Sequence, residues 1–236
     1  MKKILISMLA VTAVSCTNDS LNENSAATLK TTDASSKKTA ELHPENTANA
    51  YDIAGKIHNE ILDAYLSFNF SDSTINSVST KIDSISFLNG ELENLPPHIP
   101  ANLQEIQQIA DSPQLQLEQI IANSPMSNIS KNCLSAFMAS VPTLQNSDYQ
   151  DIHQSIISFE ASVTSNQQFT SEEKRIILTS SAITRHSLYY AKERKDKDWE
   201  TSVGNRAGAV QGALCNAATA VSCSLKAGII SKKNNE

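Results

Sequence analysis

The chain has 236 residues, 40% of them hydrophobic but only 5% aromatic, which suits one domain with an aliphatic core. Its formal net charge of -6 argues against nucleic acid as a partner, because a phosphate backbone demands a concentrated basic surface. The densest basic stretch, Lys192 to Asp198, is interleaved with Glu193, Asp196 and Asp198 and reads as a solvated helix end.

Lys2 and Lys3 precede an apolar run, Ile4 to Val14, that is too short to span a bilayer and ends in small residues, so residues 1–15 read as an export signal peptide outside the fold. Ala13-Val14-Ser15-Cys16 resembles the lipobox of bacterial lipoproteins, which implies acylation (palmitate) at Cys16 and lipid anchoring at the cell membrane or outer membrane. More than one acyl chain makes such anchoring stable, each buried methylene contributing roughly 0.8 kcal/mol. The competing reading is ordinary cleavage after Ala13; it shortens the apolar run below the ~7–15 residues expected of a signal. Residues 16–46 then form the lipidated Cys and a disordered linker. The segment is rich in Ser, Thr, Asn and Lys, and Leu21, Leu29 and Leu42 are too few to offset its ordering entropy.

From residue 47 to 236 the apolar residues recur at helical spacing, which predicts an all-α domain, an irregular bundle of about eight helices. Ala54, Ile57, Ile61, Tyr65 and Phe68 mark a first helix; Ile75, Val78, Ile82 and Ile85 mark a second, after Ser71-Asp72-Ser73. Leu95-Pro96-Pro97-His98-Ile99-Pro100 breaks the chain. Short helices follow through Leu103, Ile106 and Ile109 and after Ser112-Pro113, where Ser can cap and Pro fits the first turn. Ser124-Pro125 repeats that signal ahead of Met126, Ile129, Cys133, Phe137 and Val141, and Pro142 disfavours continuation. Tyr149, Ile152, Ile156, Phe159 and Val163 predict a long helix after Ser147, and Thr170 with Glu173 forms a capping box for the next, which runs to about Arg194.

A last helix is expected from about Trp199 to Ile230. Gly204, Gly208 and Gly212 fall four residues apart, and the register continues through Asn216, Ala220, Ser224 and Gly228. On one helix these form a stripe of small side chains that lets another backbone approach closely. Because glycine costs ~1 kcal/mol per interior helical position, three at this spacing point to packing. The stripe fits a central buried helix; alternatively it serves membrane insertion or oligomerisation, as in pore-forming and bacteriocin-like peptides. Gln211, Asn216 and Lys226 count against a lipid-exposed span.

With Cys16 acylated, Cys133, Cys215 and Cys223 remain, so at most one disulfide forms, from Cys133 to Cys215 or Cys223, and three buried free thiols acting as small hydrophobes are the equal alternative. No catalytic motif, metal-ligand spacing or cofactor-binding loop stands out, and no enzymatic activity is expected. Asp148, Asp151 and Glu160 read as the acidic, exposed face of the helix that also carries His153. Tyr51-x-x-x-Gly55-x-x-His58-Asn59-x-x-Leu62, with Trp199, Gly208-Ala209 and Gly212-Ala213, resembles a pattern in uncharacterised secreted helical proteins of Bacteroidota. That resemblance implies export and a helical domain but no activity. Within it, His58 and Asn59 read as a hydrogen-bonded polar pair, with a ligand site as the alternative. Asp19-Ser20-Leu21, Asp72-Ser73-Thr74 and Asp83-Ser84-Ile85 resemble the O-glycosylation motif of exported proteins in that group. Ser20 is the best placed of the three acceptors, because modification needs an exposed, flexible segment. The expectation is an anchored lipoprotein that binds or scaffolds an envelope or extracellular partner.

Overall fold

The computed structural model describes residues 43–68, 74–193 and 202–234. The signal segment, Cys16, Ser20, Ser73 and Trp199 lie outside them. The described residues are all-helical: α1 (Asp52–Ser67), α2 (Ile75–Phe87), a 3-10 turn (Gly90–Asn94), α3 (Leu103–Asp111), α4 (Pro113–Asn123), α5 (Asn128–Leu144), α6 (Tyr149–Ser165), α7 (Ser171–Glu193), α8 (Val203–Ala213) and α9 (Ala217–Asn234). Among them no helix is long and apolar enough to cross a membrane.

Local chemistry sets the helix ends. Thr74 Oγ1 accepts from the Ser77 amide at 3.3 Å, and the Asn102 side chain caps α3 by accepting from the Gln104 amide at 3.0 Å. Pro113 opens α4 as expected, although Ser112 makes no side-chain cap. The signal at Ser124-Pro125 works differently from its reading. Ser124 closes α4, its hydroxyl donating to the Ile121 carbonyl, and Ser127 is the residue that caps α5. Helix α5 then continues through Pro142 to Leu144, since a proline in a last turn removes only one intrahelical bond. Thr170 and Glu173 form the expected capping box, each side chain accepting from the other's amide at 2.8 and 3.2 Å. The other Glu173 oxygen accepts from the Ser127 amide and the Ser130 hydroxyl at 2.6 and 2.5 Å, so one carboxylate ties together the starts of α5 and α7.

The expected single C-terminal helix is two. Leu214–Asn216 turn the chain, and α8 and α9 pack side by side as an antiparallel hairpin. Asn216, read as a member of the stripe, breaks it: its side-chain oxygen accepts from the Thr219 amide at 2.9 Å and caps α9. Helix α9 is buried from Ala217 through Ser231, packed by α8, α1, α2 and α3. Alongside, α7 is buried on every face from Ile176 to Leu188 and packs on α1, where Gly55 lies against Ala182 and His186. Outer helices complete the core, with Phe137 of α5 stacked on Phe159 of α6 at 4.3 Å. Phe68 and Ile129, expected on core faces, are exposed.

Pro44 and Asn46 are buried, so packed structure reaches to the N-terminal side of the expected boundary at 46. Cys133, Cys215 and Cys223 are all free thiols, so neither candidate pairing forms.

Candidate functional site

The densest polar chemistry is a buried ionic cluster where residues 43–52 meet α6 and α7. Arg185 is fully buried; its guanidinium donates to Asp52 Oδ1 at 2.6 Å, to Glu160 Oε1 at 3.3 Å and to the Pro44 carbonyl. Glu160, expected on an exposed face, is 1% exposed, and also accepts from Asn46 at 2.6 Å and from Ser181 at 2.9 Å. His186 Nε2 lies 3.1 Å from Asp52 Oδ1. Burial alone would raise the Asp52 carboxyl, but the His186 hydrogen bond and the Arg185 charge outweigh it and hold the carboxyl below its ordinary value. The cluster joins a carboxylate to an imidazole, yet the nearby Ser181 hydroxyl donates to Glu160 rather than meeting the His186 ring. The arrangement therefore fastens residues 43–52 to α6 and α7 and leaves no activated nucleophile.

His58 and Asn59 belong to a second network. Asn59 Nδ2 donates to the His186 carbonyl at 2.7 Å, which leaves Asn59 Oδ1 to accept from His58 Nδ1 at 3.1 Å. His58 Nε2 must then be the acceptor for Asn205 Nδ2 of α8, 2.9 Å away. This relay fixes the neutral ring with its proton on Nδ1. Burial outweighs the opposing Asn59 hydrogen bond and lowers the His58 pKa to about 4. The pair joins α1, α7 and α8 inside the core and is closed to ligands.

The small-residue stripe closes on itself. A Cβ added at Gly204 would sit 2.6 Å from Ser231 Cβ, one at Gly208 would lie 2.9 Å from Ser224 Cα, and one at Gly212 would lie 2.5 Å from Ala220 Cα. Gly228 faces Asn205 in the same seam, and the Ser224 hydroxyl donates to the Asn205 carbonyl at 3.0 Å. The polar residues of the hairpin are also bonded to other elements: Gln211 to Glu105, Asn216 to the Pro97 carbonyl and Lys226 to Asp83.

One open cleft of about 340 Å³ lies between α3, α4 and α8. Its floor includes Ile109, Ile120 and Leu214, and the carboxamides of Gln108, Gln116, Gln119, Asn123 and Gln211 line it with Glu105. No aromatic and no cationic side chain is part of the lining. No family model, curated protein or solved structure matches the chain.

Of the residues singled out in the sequence, the structure brings together His58 with Asn59, and Gly204, Gly208, Gly212, Ala220, Ser224 and Gly228 within one hairpin. Ser84 stands on α2 with its hydroxyl donating to the Thr80 carbonyl at 2.8 Å, inside regular helix rather than an extended acceptor segment. Among the described residues no group of three or more His, Cys, Asp or Glu is arranged to hold a metal ion. Sequence reasoning missed the Arg185 cluster and the amide-lined cleft. Glu160 signals the first, standing four residues beyond Ile156 in the apolar register of α6. Six glutamines within residues 104–119 signal the second.

Proposed function

We propose that the chain is a lipoprotein of the cell envelope, acylated at Cys16, whose helical unit binds or scaffolds a partner there. The observation that carries the reading is Cys16 itself, set directly behind a short apolar run and small residues and ahead of a long polar segment. The fastening of residues 43–52 supports it. A domain held from its N-terminal side needs the residues that lead into its first helix secured, and Arg185, Glu160 and the Leu178 carbonyl do this through Pro44, Asp52, Asn46 and Asn49. The inward-facing stripe favours this role over membrane insertion, because each glycine of α8 is already occupied by α9. Intact mass and detergent partitioning test the proposal. The native protein is expected to carry a diacylglyceryl-type mass increase and to enter the detergent phase, and Cys16→Ala is expected to stay aqueous. A mature N-terminus at Val14 with no lipid mass would overturn the reading.

A further inference from the structure

We infer that the cleft between α3, α4 and α8 holds a short stretch of extended peptide main chain, neutral or positively charged, bound through its carboxamides. The inference deepens the binding role proposed above and rests on it. A carboxamide offers a carbonyl and an amino group in one plane, the same donor and acceptor pair that a peptide group presents, so several converging carboxamides can match consecutive peptide groups. Here they converge from three helices: Gln108 from α3, Gln116, Gln119 and Asn123 from α4, and Gln211 from α8.

Two glutamines outside the lining are spoken for. Gln107 donates to Asp111 at 2.8 Å and Gln114 to Glu118 at 2.7 Å, each one turn along its own helix. Of the carboxamides lining the cleft, Gln211 donates to Glu105 at 3.2 Å, while Gln108, Gln119 and Asn123 keep most of their capacity. Among the described residues the Gln108 and Asn123 side chains have no hydrogen-bond partner, and Gln119 only accepts a long bond of 3.4 Å from Gln116.

Charge and shape narrow the ligand class. Glu105 is the one ionic group of the lining, so phosphates and carboxylates are repelled while a peptide or its ammonium group is tolerated. A sugar ring is usually gripped between hydrogen bonds and an aromatic face, and that face is absent from the lining. Ile109, Ile120 and Leu214 instead give small apolar side chains of a peptide a floor. The volume of about 340 Å³ is at the lower end for a small-ligand pocket and suits a few residues of chain rather than a folded partner.

The test uses the full chain as Cys16→Ala, which stays in solution whether or not the native protein is acylated, so its outcome is independent of the anchoring experiment. Titration with acetyl-Ala-Ala-Gly-Ala-amide is followed by NMR of the side-chain amide groups. The expected result is millimolar binding that shifts the Gln108, Gln119 and Asn123 amide signals. The same peptide N-methylated at its backbone amides is expected to bind at least about tenfold more weakly, as are Gln108→Leu and Gln119→Leu, exposed positions whose melting temperature should stay unchanged. Absence of shifts at high millimolar peptide would overturn the inference. So would binding that survives N-methylation or the leucine variants, or shifts produced by maltotriose and not by the peptide.

Discussion

At the residue scale, buried polar groups set the protein's sensitivity to acid. His58 is neutral in the fold with a pKa of about 4, against about 6.5 when unfolded. Below pH 6.5 the unfolded chain takes up a proton that the folded one refuses, so stability is complete above that pH and falls as pH drops toward 4. Between pH 7.5 and 4.5 this one group is expected to remove about 2–3 kcal/mol. Urea unfolding at the two pH values checks it: His58→Gln should lose that much less than the parent, and an equal loss in both would refute the assignment. Arg185 predicts a different failure. Removing it leaves Glu160 buried with no counter-charge, so Arg185→Leu is expected to cost about 3–5 kcal/mol at neutral pH. Combining it with Glu160→Gln should recover part of that loss. Non-recovery in the double variant would mean that Arg185 acts through packing instead of charge.

At the scale of elements, the hairpin and the shared cap explain how a chain poor in aromatics holds its helices together. Gly208→Ala raises helix propensity by about 1 kcal/mol, yet its methyl would press on the backbone at Cys223 and Ser224, and overpacking costs roughly 1–3 kcal/mol. The contact outweighs the propensity. Gly208→Ala is therefore expected to lower the melting temperature, and Gly212→Leu more so, with no release of dye from loaded vesicles by either the parent or the variants. A variant as stable as the parent would show that the hairpin seam is looser than described. Glu173 tests the second device, since its carboxyl is drawn down to about 2, foremost by the Ser130 hydroxyl bond. Its contribution is full above the unfolded value near 4.5 and fades as pH falls toward 2. Glu173→Gln is expected to cost about 1–2 kcal/mol at pH 7, the scale of losing helix caps, and much less near pH 2. A penalty independent of pH would contradict the charge-based cap.

At the scale of the whole molecule, what was legible in the sequence depended on how local its cause was. The apolar spacing through Ile57 and Ile61, or Ile152 and Ile156, follows from the helix repeat, and both helices stand where that spacing puts them. The turn at Asn216 was hidden because the same residue fits a small-residue stripe and a helix cap, and only the tertiary contact of Gly212 with Ala220 decides between them. Glu160 was misjudged and Arg185 passed over for a related reason, as a charge is read as surface until its partner, 25 residues away in sequence, is seen beside it. The lead-in residues follow the same logic and give the sharpest test of where the fold begins. Residues 17–42 carry no periodic apolar face, whereas Asn46 and Asn49 make buried bonds to Glu160 and to the Leu178 carbonyl. Deleting 17–42 is expected to leave thermal unfolding unchanged. Deleting 17–50 strips Arg185 and Glu160 of Pro44 and Asn46, and each buried hydrogen-bonding group left open costs about 1–3 kcal/mol, so a marked loss of stability should follow. Equal melting of the two deletions would place the start of the fold beyond residue 50 and remove the fastening on which the anchored reading leans.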